Sequence, residues 1–320
     1  RWIRKVGIFL GIVCPKEVGR DSRRIDGGNM RIEEFIERTK KELEKRFKDR
    51  GKIGIKAMMK NSGVMRTGLY LENLDKKALP VLWLGEEYQR FQEKGGDENA
   101  LKFCLQCMEE NLLSDEDEKA EQLAEKLPEY EKIQHRIIYR LIPKKKNQEF
   151  LGTIPYISYL DLAVIFYICE SDESDSYYYC LIQSVMLKAW GVTVEELFEK
   201  AKKNTPCLFP AKSYQFSDLG LPQSDVPMSI LTNKSQIYGA VVILYDGILK
   251  KIAEKTGTNL IILPSSVHEV LVLPDSAEMD FENLKEIIQQ INSQVLEEQE
   301  ILSDHPYRFI KETGILESSF

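Results

Sequence analysis

Apolar residues recur along this chain at two spacings, three to four residues and two, and together they predict helices packed on antiparallel strands. Ile32, Phe35, Ile36, Leu43 and Phe47 share one helical face, with Glu33, Lys40, Lys41, Glu44 and Lys48 elsewhere, so a surface helix covers a sheet here. Gly51 ends it. Strands are expected at Ile53 to Met59 and Val64 to Leu71, joined by the turn Asn61-Ser62-Gly63, and again at Leu79 to Leu84. Glu86 to Glu93 and Leu101 to Leu113 read as helices split by Gly95-Gly96-Asp97. Arg136 to Ile142, Leu160 to Cys169 and Tyr177 to Gln183 read as strands. Thr193 and Glu196 form a capping box for a helix expected to end at Asn204-Thr205-Pro206. Lys212 to Val226 has no periodicity and reads as a long loop. Phe281, Leu284, Ile288, Ile291 and Val295 mark a helix capped by Asp280, and Tyr307 to Ile310 with Ile315 to Glu317 make a closing hairpin.

The densest apolar stretch is Met228 to Pro274, and the rest of the chain is organised around it. It predicts a strand, a polar exit at Thr232, Asn233 and Lys234, a helical segment, and a hairpin whose turn carries Ser265, Ser266, His268 and Glu269. Period-two alternation puts His268 with Val270 and Val272, and Glu269 with Leu271 and Leu273. Both faces of that strand are apolar, so it is interior to its sheet, with His268 and Glu269 at a polar mouth. The expected fold is α+β: a mainly antiparallel sheet with packed helices in the C-terminal half, after a smaller α/β unit in the N-terminal half.

Charge divides the chain further. Residues 1–29 carry seven Lys/Arg against three Asp/Glu, whereas the whole chain is at −7. A basic start followed by VGIFLGIVC suggests a signal peptide but lacks its cleavage site. Gly27-Gly28-Asn29-Met30 can be encoded by a ribosome-binding sequence and start codon, so 1–29 is expected to be a disordered, non-native translated leader before a start at Met30. Residues 30–127 then form the N-terminal unit and 128–320 the C-terminal domain, with the acidic run from Ser114 to Glu131 as a solvated connector.

Several chemistries fail on spacing. No apolar run is long enough to span a bilayer as a helix. Six cysteines without scaffold spacing read as thiols of a reducing cytoplasm, and Cys104/Cys107 fall inside a helix with no second pair. The acidic turn from Glu170 to Ser176 misses the EF-hand pattern. Phosphate-loop, dinucleotide and HExxH signatures are absent. No metal or cofactor is therefore expected. Asp161 is either a strand-end residue touching water or a site carboxylate, with the first preferred. The negative charge disfavours duplex nucleic acid, leaving open a local patch such as Arg136, Arg140 and Lys144 to Lys146.

LTNKSQIYGAVVILYDGILKKIAEKTG, NLIILPSSVHEVLVLP and LSDHPYRF, with LDLAVIFY, Trp190-Gly191-Val192-Thr193 and Asn204-Thr205-Pro206, resemble an uncharacterised bacterial family of the Firmicutes, domain of unknown function number fifty-six eighty-eight. The resemblance runs from Met30 to about Glu317. It implies no activity, so it assigns no roles.

The candidate site is Thr232, Asn233, Lys234, Ser265, Ser266, His268 and Glu269, with catalytic residues unassigned. A pairing of Lys234 with Glu269 is one arrangement they allow. Ser266 and His268 in extended backbone lie roughly 7 Å apart, too far for a hydroxyl-to-imidazole bond, and GxSxG is missing. The leading expectation is a cytoplasmic, non-enzymatic binding or regulatory protein, its unknown partner a protein or small-molecule ligand. The alternative is a hydrolase-like enzyme built on the same residues.

Overall fold

A computed structural model describes residues 11–13, 30–59, 65–72, 81–113, 118–171, 177–215, 228–264, 266–275 and 281–318. The turn Asn61-Ser62-Gly63, the acidic turn 172–176, Ser265 and Asp280 lie outside the described residues. The chain divides into two compact units, one comprising residues 1–60, 65–133 and 168–181 and the other 61–64, 134–167 and 182–320.

In the first unit, helix α1 (Ile32–Arg46) precedes the antiparallel strands β2 (Lys52–Met59), β3 (Met65–Glu72) and β4 (Leu82–Trp83). The third strand is shorter than its apolar pattern suggests, because helix α2 (Leu84–Glu93) already begins at Leu84. Helix α3 (Glu98–Leu113) follows, and Asp97 Oδ1 accepts the N–H groups of Asn99 and Ala100 at 2.9 and 2.8 Å, satisfying two donors at its start. The helices bury Phe35, Leu43, Phe91, Leu101 and Met108 against Ile53, Leu69 and Leu71 of the sheet. Phe35 packs on Tyr88 and Phe91 with ring centroids 5.4 and 5.1 Å away.

Cys104 is fully buried in α3, and burial pushes its thiol up to about 11, the opposite of a reactive thiolate. The acidic run is not a bare solvated connector. Its helix α4 (Glu118–Lys126) buries Leu123 and Ala124 completely, and Leu127 follows them inside. Three apolar residues at helical spacing outweigh the surrounding charge. Also in this unit, β1 (Gly11–Val13) pairs antiparallel with β8 (Tyr177–Leu181).

The second unit is built on two sheets. One contains β5 (Ile137–Pro143), β6 (Tyr156–Tyr159) and the first part of β7 (Leu162–Ser171), with helix α8 (Val194–Leu208) packed on β5. The α8 capping box forms as its sequence dictates: Glu196 N–H donates to Thr193 Oγ1 at 3.2 Å and Thr193 N–H to Glu196 Oε2 at 2.7 Å. The helix continues through Pro206 instead of stopping there. A proline near the last turn removes one N–H only, and Asn204 fixes the segment by donating to the carbonyls of Gln134 and Ile137 at 2.8 and 3.0 Å.

The other sheet runs β14 (Ile315–Ser318), β13 (Tyr307–Ile310), β11 (Leu260–Leu263), β12 (Val270–Pro274), β10 (Ser229–Asn233), β9 (Ala211–Gln215). Residues 211–215 are thus an edge strand where a loop is expected, since their backbone completes the ladder of β10 while their side chains stay largely exposed. β12 is interior, as its two apolar faces require, with Val270, Val272 and Leu273 buried. Helix α10 (Phe281–Gln294) seats Ile288 on Ile261, Leu263 and Leu273. Val295 falls past the helix end and is 73% exposed, so it leaves the predicted stripe. Between β10 and helix α9 (Ile248–Thr256), the apolar run Gly239–Leu244 forms a 3-10 helix buried from Gly239 to Ile243. This is long for that helix type, and it enters through Tyr238 in left-handed backbone at φ 51°.

Candidate functional site

The open end of β10 and the β11–β12 turn meet around His268. Thr232 Oγ1 donates to the His268 carbonyl at 2.7 Å, tying the strand exit to the turn. Ser266 Oγ accepts the His268 backbone N–H at 3.0 Å, a local turn bond of the kind serine makes readily. The Ser266 hydroxyl also hydrogen-bonds the Glu269 carboxylate. Both roles of this hydroxyl are therefore spent on the turn.

The His268 ring is held from the other side. Its Nδ1 accepts the backbone N–H of Tyr238 at 3.3 Å, which leaves the proton of the neutral ring on Nε2. Nε2 lies 3.7 Å from Glu300 Oε1, and the two side chains are 21% and 28% exposed. That gap exceeds a hydrogen bond. The Tyr238 ring leans on the imidazole, centroids 5.5 Å apart, and receives the Arg140 guanidinium over its face at 3.8 Å. Arg140 also lies 4.4 Å from the Tyr167 ring centre. A buried guanidinium between two tyrosines, an imidazole and a half-exposed carboxylate thus form one cluster.

Close packing fixes this geometry. A Cβ at Gly239 would fall 2.5 Å from the His268 carbonyl oxygen and 2.7 Å from the Asn233 nitrogen, so the 3-10 helix can start only with glycine. Electrostatics follow from burial. Desolvation, then the Arg140 charge, hold the His268 pKa below its ordinary value. Desolvation raises Glu269 against the Ser266 hydrogen bond, with the Glu300 charge adding to the rise. Glu300 is raised chiefly by desolvation as well.

The predicted residues separate into distinct roles. Thr232, Ser266, His268 and Glu269 come together. Asn233 turns into its own loop, donating to the Ile237 carbonyl at 2.9 Å and accepting from Ser235 at 2.8 Å. Lys234 is exposed, and Glu269 engages Ser266. Arg140 is 5% exposed, so Arg136, Arg140 and Lys144 to Lys146 do not make one basic face. Asp161 stands just before β7 with intermediate exposure and does not join the mouth: it accepts hydrogen bonds from Ser303, at 2.7 Å, and Tyr307.

Tyr167, Tyr238 and Glu300 went unflagged by sequence pattern. The one usable signal was Arg140, a lone charge inside the apolar strand IIYRLIP. Among the described residues, no group of three or more His, Cys, Asp and Glu side chains is arranged to hold a metal ion, and no helix is long and apolar enough to cross a membrane.

The fold and this cluster define an α+β protein of antiparallel sheets with a polar mouth at one sheet end. The sequence profile of the family of unknown function DUF5688 matches residues 32–311, and the chain belongs to that family. No curated protein and no solved structure gives a match.

Proposed function

We propose that this chain is a cytoplasmic bacterial binding or regulatory protein whose ligand meets the His268–Glu300 edge of the polar mouth. One observation carries the reading: Ser266 spends its hydroxyl on the turn backbone and Glu269, while His268 spends Nδ1 on Tyr238, so neither side chain activates the other. What stays directed outward is a ring N–H donor beside a carboxylate acceptor, 3.7 Å apart and partly exposed. A ligand group carrying both an acceptor and a donor, such as a carboxamide, matches that pair. The perturbed groups around it are what a built site contains.

Two measurements test this together. Native mass spectrometry of the chain purified from its own host is expected to show a bound species that His268→Gln loses. A fluorophosphonate probe, which labels activated serines, is expected to leave the chain unmodified. Labelling of Ser265 or Ser266 would overturn the binding reading in favour of a hydrolase, and absence of any His268-dependent species would overturn it outright.

A further inference from the structure

The sheet of the first unit has an outer face that the helical core does not use. Strand register fixes its membership. Ile53, Leu69 and Leu71 point into the core, so Lys52, Gly54 and Lys56 of β2 share the opposite face with Glu72, Tyr70 and Gly68 of β3, their direct partners. Trp83 pairs with Gly68 and joins them.

Two glycines on this face leave room that neighbouring side chains fill, a ring at one of them. A Cβ at Gly54 would fall 2.6 Å from Tyr70 Oη and 2.7 Å from its Cε1, so the phenol lies across β2 where a side chain would stand. At Gly68 the same atom would run into Val81 Cγ1, with Trp83 Cζ3 next at 3.3 Å, so Val81 covers this glycine and the indole packs beside it against β3. Gly54 and Gly68 are diagonal neighbours, about 7–8 Å apart across the ladder. Tyr70, Trp83 and Lys56 are half-buried and Lys52 is exposed. Burial lowers the Lys56 pKa.

The charge of this hairpin runs against that of the chain. Residues 51–72 hold four Lys/Arg and one acidic residue within a chain of net −7. Rings laid on a small antiparallel sheet with cations between them supply the two things a single strand needs, stacking surfaces for bases and charge for phosphates. Duplex DNA offers no unstacked base to such a surface, and the chain's overall charge disfavours it.

We propose that the outer face of this sheet binds single-stranded nucleic acid, with Tyr70 and Trp83 stacking on bases and Lys52 and Lys56 contacting phosphates. Fluorescence anisotropy of the full chain with labelled mixed-sequence oligonucleotides, RNA and DNA, single-stranded and duplex, tests it across a salt series. Single strands are expected to bind more tightly than duplex, with affinity falling as salt rises at a slope of about −0.7 per phosphate contacted. Tyr70→Leu is expected to weaken binding roughly tenfold. Lys52→Glu, at an exposed position where folding is not at issue, is expected to weaken it and flatten the salt slope. No binding at low salt, equal binding of duplex, or indifference to Lys52→Glu would overturn the proposal. So would retention of an acidic peptide, polyglutamate, in place of the oligonucleotide, which would assign the face to a protein partner.

Discussion

Two polar clusters in the second unit are built from similar groups and end in opposite states. Around Asp161, each carboxylate oxygen takes a hydroxyl: Oδ2 from Ser303 at 2.7 Å and Oδ1 from Tyr307. Ser303 in turn accepts the His305 N–H at 3.2 Å, and Asn292 donates to the Ser303 carbonyl at 3.0 Å and to Asp304 at 2.7 Å. Tyr307 and Ser303 are buried. At the mouth, His268 and Glu300 stand apart and partly exposed, although Thr232 and Ser266 beneath them are buried. A carboxylate whose oxygens are filled by buried hydroxyls locks a fold. An imidazole and a carboxylate held short of each other at the surface leave capacity for something else.

The largest effect expected in breaking this comparison comes from Gly239→Ala. The added Cβ meets the backbone of His268 and Asn233, which cannot swing aside like a side-chain tip, so a loss of about 3 kcal/mol in urea denaturation is expected. A neutral result would mean that the mouth is loosely packed. Next comes Asp161→Ala, which strands the buried hydroxyls of Ser303 and Tyr307 and is expected to cost about 2–3 kcal/mol without changing ligand retention. If Asp161→Ala spared stability but lost the ligand, the roles of the two clusters would be exchanged.

How much of this was legible in sequence depends on the range of the interaction. The α8 capping box and the β11–β12 hairpin could be read because their causes lie within a few residues. The interior position of β12 followed from two apolar faces on one strand. The Asp161 lock joins residues 142 and 146 positions apart, and no local pattern encodes that distance. Arg140 shows the same limit, since a charge in an apolar strand reads as surface until Tyr167 and Tyr238 are brought over it. The edge strand 211–215 was missed because an edge needs only one partner and imposes no apolar alternation.

Smaller effects sharpen the mouth itself. His268→Gln removes the acceptor for Tyr238 N–H and is expected to cost about 1–2 kcal/mol at neutral pH. Because the folded-state pKa of His268 lies below its ordinary 6.5, the unfolded chain binds the proton more readily. The contribution of His268 is complete above pH 6.5 and is lost as pH falls from there toward the folded value. Protonation would also turn Nδ1 into a donor facing the Tyr238 N–H. His305 is shifted in the same direction, so the informative quantity is the difference between wild type and His268→Gln across that window in thermal melts. A pH-independent difference would remove the imidazole from the account.

Glu269→Gln is expected to give the smallest change, and one of opposite sign. The folded-state pKa of Glu269 is raised above 4.5 by desolvation, so its contribution is complete below pH 4.5 and is lost as pH rises through the folded value. At neutral pH the carboxylate is therefore a burden that the uncharged amide lacks. A gain of about 0.5 kcal/mol near pH 7 is expected, fading as pH is lowered. Glutamine keeps an acceptor for the Ser266 hydroxyl, so the turn and its bond to the His268 N–H persist. A loss of stability at pH 7 would show that the charge of Glu269 is held by Arg140 or another cation, and that the mouth is a closed lock, as the hydroxyl-filled Asp161 cluster is. A gain in stability with a simultaneous loss of ligand would mark Glu269 as a group kept charged for binding at the expense of the fold.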